Sequence, residues 1–189
     1  NNVDIALASS IDYQRCDEAL SILPVGVLSS EGETLTVRLC SKKPFASITE
    51  VHCDTDSHTS VALLQIILYN EYGITPTITS CDVRVLRESK EWPDTVLMIG
   101  DKVVTSANDT EYPLQLDLGE AWFAQTKLPF VFAMWFGKTC LPAELVRRAS
   151  MVLDRQRRYN AQRIEQVVSE HAGAKGWDTK FAYRYLTEH

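Results

Sequence analysis

The stretch Cys53-Asp54-Thr55-Asp56-Ser57-His58-Thr59-Ser60 runs directly into the almost wholly apolar segment Val61-Ala62-Leu63-Leu64-Gln65-Ile66-Ile67-Leu68-Tyr69. This order predicts the end of a strand, a tight polar turn and the N-terminus of a buried helix. Backbone N–H groups without helical partners and the positive end of the helix dipole point out of such a turn. Hydroxyl side chains crowd the same positions, so the turn predicts a seat for a carboxylate or a phosphate.

A simpler interpretation of the turn stays open, in which Ser57 or Thr59 serves only as the N-cap of the helix. Asp54 and Asp56 could each act as a general base, but Asp in such positions more commonly shapes a turn. His58 could act in acid–base chemistry, although a histidine in a turn is more commonly solvated. The turn therefore offers binding candidates without a distinct general base.

Two further strand ends carry polar residues. Ser9 and Ser10 follow a short first strand, and Gly100-Asp101 follows the apolar run Thr95-Val96-Leu97-Met98-Ile99. Ligands gather at the carboxyl ends of parallel strands, so we expect these ends and the polar turn to face one crevice.

The alternation of strands and helices along the chain predicts an α/β fold with mostly parallel sheets and a helical C-terminal segment. The predicted strands cover residues 3–8, 22–28, 35–40, 47–53, 74–81, 95–99, 114–118 and 129–136. The predicted helices cover residues 10–15, 57–72, 120–126 and 142–172, and a last short helix starts at residue 178.

The composition excludes several classes of function. The 189 residues are 45% apolar with a net charge of −6, which is typical of a globular protein and argues against nucleic-acid binding. No run of 18 apolar residues occurs, so we expect no membrane span. Five scattered cysteines without a CxxC pair favour a reducing compartment and a cytoplasmic location. No Cys/His spacing suggests a metal site, and no Gly-rich phosphate loop or nicotinamide motif occurs.

Six segments, in order along nearly the whole chain, resemble motifs of one enzyme family. They are residues 3–13 (Val-Asp-Ile-Ala-Leu-Ala-Ser-Ser-Ile-Asp-Tyr), 53–64 (Cys-Asp-Thr-Asp-Ser-His-Thr-Ser-Val-Ala-Leu-Leu), 99–101 (Ile-Gly-Asp), 116–122 (Leu-Asp-Leu-Gly-Glu-Ala-Trp), 128–135 (Leu-Pro-Phe-Val-Phe-Ala-Met-Trp) and 185–188 (Tyr-Leu-Thr-Glu). Together they are similar to the chorismate dehydratases, which open the futalosine route to menaquinone. The resemblance implies that water is removed from chorismate to give 3-[(1-carboxyvinyl)oxy]benzoate, a carbon–oxygen lyase reaction that makes the ring aromatic.

The resemblance also implies a two-lobed fold like that of the type 2 periplasmic binding proteins, with the active site between the lobes. We expect residues 1–44 and 136–189 to form one lobe and residues 45–135 the other. The candidate catalytic residues are Ser57 and Ser10. The candidate substrate-binding residues are Ser9, Ser10, Asp56, Ser57, His58, Thr59, Ser60, Gly100 and Asp101.

The chemistry that the resemblance implies requires no metal and no redox cofactor. Chorismate is the expected small-molecule partner, and the sequence leaves the oligomeric state open. Because no obvious base is present, a carboxylate of the substrate itself could take the proton.

The sequence departs from the family pattern at two positions of the turn. His58 stands where many members carry Arg, and Asp56 replaces a small hydroxyl residue. Asp56 should repel a bound anion by about 1 kcal/mol in a wet cleft. Family members also carry a strand with a Tyr-Leu-Asn-type motif ahead of the position that matches residue 1. We therefore expect the chain to correspond to an internal part of such an enzyme, with weak activity by itself.

Three alternatives to a chorismate dehydratase stay open at the level of the sequence. A solute-binding protein with the same lobes would bind its ligand without chemistry. The sister enzyme of the pathway, which makes dihydroxynaphthoate, shares the fold. The third is a degenerate relative kept as a binding or structural protein, an alternative that Asp56 and His58 keep open because they depart from the family pattern.

Overall fold

The computed structural model describes residues 3–89, 91–107 and 110–188, which form two β-sheets and the helices packed around them. The strands are β1 (Ile5–Ser9), β2 (Leu20–Ile22), β3 (Leu28–Ser30), β4 (Val37–Ser41), β5 (Glu50–Asp54), β6 (Thr77–Cys81), β7 (Thr95–Ile99), β8 (Leu114–Asp117) and β9 (Phe130–Lys138). The helices are α1 (Asp12–Arg15), α2 (His58–Tyr72), α3 (Val83–Ser89), α4 (Asp101–Ser106), α5 (Leu118–Thr126), α6 (Ala143–Ala161), α7 (Ile164–His171) and α8 (Thr179–Glu188). The chain is thus an α/β protein, as the sequence predicts.

The two sheets differ in strand direction. In the first sheet β9 pairs with β1, β2 and β3, and all of these pairings are antiparallel. The second sheet has the strand order β6-β5-β7-β4-β8, in which β5 is parallel to β6 and β7 while β4 is antiparallel to β7 and β8. The prediction of mostly parallel sheets is therefore wrong. Each antiparallel pair joins strands that are far apart in the chain, so the local alternation of strands and helices does not determine their relative direction.

Helix α2 joins the polar turn to the core. It begins after Ser57 and ends at Gly73, whose φ of +66° is the left-handed conformation expected at a helix end. Its buried face and three strands of the second sheet share a core cluster that contains Leu39, Val51, Leu63, Leu64, Ile67, Leu68 and Leu97. Burial of this face fixes the direction in which the N-terminus of α2 points.

Two predicted elements are divided in the structure. Residues 22–28 contain the end of β2 and the start of β3, and Pro24 between them has no N–H to continue a ladder. The predicted helix over residues 142–172 breaks at Gln162 and Arg163, which separate α6 from α7. Within the described ranges, no helix combines the length and the apolar character that a membrane crossing needs.

The chain crosses between the sheets at residues 31–36 and again at residues 127–129, because β4 belongs to the second sheet and β9 to the first. The predicted lobe boundaries after residues 44 and 135 both lie later in the chain than these crossings. Arg184 Nη2 contacts Glu33 Oε2 at 3.3 Å, and Trp177 Nε1 donates to Asp101 Oδ1 at 2.9 Å. These contacts attach the C-terminal segment to the first crossing and to α4, and the division into two lobes stays a prediction.

Candidate active site

A cavity of about 420 Å³ lies between the two sheets, at the edge where β5 and β7 end. Its volume falls within the roughly 300–1,000 Å³ that is typical of small-molecule sites. One part of its wall is polar and contains Ser9, Ser29, Ser30, Thr34, Thr36, Asp56, Ser57 and Ser60. Another part is apolar and contains Val27, Leu28, Val37, Ile99, Phe132, Ala133 and Leu186. A ligand with an apolar ring and oxygen-rich substituents would match both parts of the wall.

The polar turn reaches this cavity at the N-terminus of α2. Ser57 Oγ accepts a hydrogen bond from the Ser60 N–H at 3.1 Å and donates to Ser60 Oγ at 2.8 Å. The N–H groups of His58 and Thr59 precede the first i→i−4 bond of the helix, so the positive end of α2 lies at the cavity wall. Ser57 is therefore the N-cap of α2, and because it also lines the cavity the same turn can hold an anion.

Ser9 ends β1 and Ser10 directly follows it, but the two residues have different surroundings. Ser9 lines the cavity. Ser10 Oγ donates to the carbonyl of Val131 at 2.7 Å and lies 3.3 Å from Thr59 Oγ1, which also accepts from the Ile11 N–H. Ser10 and Thr59 thus link the first sheet to α2, and neither is among the lining residues. Their predicted contacts with substrate stay predictions, and the observed bonds give both residues a part in positioning α2.

The remaining predicted residues are also dispersed. Gly100 lines the cavity, and its φ of +61° lies in the region that favours glycine. Asp101 accepts a hydrogen bond from Trp177 Nε1 and does not line the cavity. His58 lies on the surface with its side chain 60% exposed, and its Nδ1 is 2.8 Å from Asp12 Oδ1. The structure therefore brings together Ser9, Asp56, Ser57, Ser60 and Gly100.

Comparison with known proteins places the chain in a family. A family model described as "Menaquinone biosynthesis" matches residues 1–189. The chain belongs to this family. It is 28% identical over 200 residues to a protein of Thermus thermophilus named "Chorismate dehydratase", an alignment that covers 97% of this chain and 72% of that protein.

Solved structures agree with the fold. Protein AF1704 from Archaeoglobus fulgidus superposes with a TM-score of 0.65 over 100% of this chain and 70% of that chain, at 16% sequence identity. A periplasmic substrate-binding protein of an ABC transporter from Coxiella burnetii gives a TM-score of 0.38 at 11% identity, covering 72% of this chain and 64% of that chain. The TM-score of the first superposition supports the fold, and that of the second is too low to bear on it.

This member of the menaquinone biosynthesis family carries a charged cluster that sequence reasoning missed. Lys102 Nζ lies 2.5 Å from Asp54 Oδ2 and 2.6 Å from Asp56 Oδ2, and Arg84 Nη2 contacts the same Asp56 oxygen at 2.5 Å. The hydrogen bond from Lys102 lowers the pKa of Asp56, and the charge of Arg84 acts in the same direction. Because two cations balance the two carboxylates, the repulsion expected between Asp56 and a bound anion is offset. Lys102 directly follows the predicted strand end Gly100-Asp101, which is the signal that could have identified it.

Hydroxyl groups from the crossing segment and from α8 were also missed. Thr34 and Thr36 both line the cavity and are 5% exposed, and Thr36 Oγ1 lies 3.4 Å from the hydroxyl of Tyr185. This contact brings the last helix to the cavity wall. The signal for Tyr185 was its place in the family-like segment 185–188. Thr36 lies within the predicted strand over residues 35–40, and Thr34 directly precedes that strand.

Two cysteines lie in neighbouring strands next to the polar turn. Burial raises the pKa of Cys53 to about 12 and that of Cys81 to about 11, so both thiols stay protonated at neutral pH and are poor nucleophiles. In the part of the chain that the structure describes, no group of three His, Cys, Asp or Glu side chains is placed to hold a metal ion.

Proposed function

We propose that this chain catalyses the dehydration of chorismate to 3-[(1-carboxyvinyl)oxy]benzoate, which makes it a hydro-lyase of menaquinone biosynthesis. The family and the name of the Thermus thermophilus relative support this proposal. The observation that carries it is the cavity between the sheets, whose lining combines several hydroxyl groups and the N-terminus of α2 with apolar side chains. We also propose two lobes arranged like those of type 2 periplasmic binding proteins and a cytoplasmic location.

Chorismate matches the two kinds of wall. It is a dianion whose carboxylates need hydrogen-bond donors, and its ring needs an apolar surface. Ser57 and Ser60, backed by the positive end of α2, can donate to one carboxylate. Phe132 and Ile99 on the apolar wall can contact the ring. Held in this way the substrate is oriented for reaction, and orientation alone can supply several kcal/mol of barrier lowering.

The reaction removes a proton from the ring carbon that bears the ether oxygen and a hydroxyl from the neighbouring carbon, and these leave together as water. Within the described residues, Asp56 is the one carboxylate in the lining, and Lys102 and Arg84 hold it in its ionised form by hydrogen bonds. A carboxylate whose pKa is lowered is a weak base. This supports transfer of the proton to the substrate's own carboxylate, with Ser57 as hydrogen-bond donor to the bound dianion.

Replacing Ser57 by Ala should lower kcat/KM for chorismate by roughly 10–100-fold, because a hydrogen bond to a charged group contributes about 1.5–3 kcal/mol. Absorbance of the aromatic product measures turnover, and calorimetric titration measures binding. Ser57→Thr keeps the hydroxyl and should restore much of the activity.

The matched control for this experiment is Ser47→Ala, which removes an exposed turn hydroxyl whose Oγ donates to the carbonyl of Pro44 at 2.7 Å. It should leave turnover unchanged. If Ser57→Ala lowers only the unfolding temperature, the turn is a helix cap and nothing more. If the wild-type chain binds chorismate without forming product, the solute-binding alternative replaces the dehydratase.

A further inference from the structure

One hydroxyl of the cavity wall forms no hydrogen bond with any residue that the structure describes. It belongs to Ser30, the last residue of β3, which lines the cavity and is 7% exposed. A buried hydroxyl without a partner is costly, so native proteins usually provide one. The neighbouring hydroxyl of Thr34, by contrast, donates to Asp117 Oδ2 at 2.8 Å.

Ser30 is closely packed, and although the carbonyl of Gly32 also packs against Gly119, the Ser30 hydroxyl forms no hydrogen bond there. Its Oγ faces Gly119 in the first turn of α5, and a Cβ at Gly119 would lie only 2.6 Å from that oxygen. The Gly119 N–H already donates to Asp117 Oδ1 at 3.0 Å. The glycine therefore provides space without a hydrogen bond. Because the present rotamer of Ser30 gains no hydrogen bond, a turn about its Cα–Cβ bond to another staggered position sacrifices none.

We propose that Ser30 is a substrate-binding residue whose hydroxyl turns into the cavity and donates its proton to a carboxylate oxygen of the bound substrate. This inference rests on the proposed function in naming chorismate as that substrate. The position explains why the hydroxyl is left without a partner in the protein. Ser30 approaches the ligand from the first sheet, whereas Ser57 and Ser60 approach it from α2. A dianion with two separate carboxylates can be held by both groups at once.

The test compares Ser30→Ala with Ser150→Ala. Ser150, in α6, also has a buried hydroxyl with no partner among the described residues, and it is not part of the cavity wall. Each full chain is titrated calorimetrically with chorismate and with benzene-1,3-dicarboxylate, and its unfolding temperature is measured without ligand. Ser30→Ala should weaken binding at least about tenfold, since a charge-assisted hydrogen bond is lost. Its unfolding temperature should be equal to or higher than that of the wild type, because no protein hydrogen bond is removed. Ser150→Ala should leave both affinities unchanged.

Unchanged affinity of Ser30→Ala for every ligand that the wild type binds overturns the inference. A lower unfolding temperature of Ser30→Ala also overturns it, because that result marks a structural hydroxyl. If the wild type binds benzene-1,3-dicarboxylate but not chorismate, the proposed function fails. The affinities of the wild type and Ser30→Ala for benzene-1,3-dicarboxylate then still test Ser30. If the wild type binds neither dicarboxylate, the inference is overturned together with the proposed function.

Discussion

Replacing Asp117 by Ala should destabilise the protein by at least about 4 kcal/mol, because several buried donors lose their acceptor at once. Asp117 is 7% exposed. Its carboxylate accepts from the N–H groups of Gly119 and Glu120, for which it is the N-cap of α5. It also accepts from the Thr34 N–H at 2.9 Å, the Thr34 hydroxyl at 2.8 Å and the Leu35 N–H at 2.8 Å.

The same carboxylate holds a strained backbone. Leu35 adopts a φ of +64°, which is rare for a residue other than glycine and costs on the order of 1–3 kcal/mol. With Ala at position 117 residues 34–35 lose three of the hydrogen bonds that hold this conformation, so the segment that carries Thr34 and Thr36 should shift from its place in the cavity wall. Chorismate binding should then fall together with stability.

Urea unfolding followed by circular dichroism measures the effect. Asp178→Ala is the matched control, because Asp178 Oδ1 also accepts two backbone N–H groups, those of Lys180 and Phe181, but at the surface. Loss of such an exposed cap costs about 1 kcal/mol. Equal losses in the two variants would show that burial of Asp117 contributes nothing to stability.

Replacing Lys102 by Met should cost about 3–5 kcal/mol at neutral pH, the usual result of leaving a buried charge without its partner. The side chain of Asp54 is fully buried, and Lys102 Nζ contacts both of its oxygens, at 2.7 and 2.5 Å. Urea unfolding at neutral pH measures the loss. Lys180→Met, at an exposed position, serves as the control and should change stability little.

The pH dependence of the wild type follows from Asp56. Its pKa is lowered in the folded protein, chiefly by the hydrogen bond from Lys102, so it contributes stability above the unfolded value of 3.8. That contribution is lost as the pH falls through the lower folded value. Lys102→Met removes most of it, so its stability should depend less on pH in this acidic range. An acid-unfolding profile identical to that of the wild type would contradict this role for Lys102.

The parts of the site that could be predicted are local in sequence. The hydroxyls after β5 and the apolar run of α2 lie within one continuous stretch, so their pattern alone indicated a helix N-terminus, and the position of Ser57 at that N-terminus is confirmed. Gly73 marked the end of the helix for the same local reason. Ser9 and Gly100 were found because each follows a strand that is short and apolar.

The parts that could not be predicted depend on pairing across the sheets. The direction of β4 is set by its neighbours β7 and β8, which are distant in sequence. Asp101 was expected to face the crevice because it follows β7, but the indole of Trp177 binds it on another side. Ser30 ends β3 and Thr34 lies in the crossing that follows, and only the packing of the two sheets around the cavity shows that they line it.

The central place of β9 in the first sheet has a consequence for the order of assembly during synthesis. All strands of the second sheet lie within one continuous stretch, from Val37 to Asp117, and can pair as soon as that stretch has left the ribosome. β1, β2 and β3 are made first but have no partner in their own sheet until β9 emerges more than a hundred residues after β1. The cavity should therefore form only after the second sheet has paired, and pulse-labelled hydrogen exchange on stalled nascent chains should detect protection in β5 and β7 before it appears in β1.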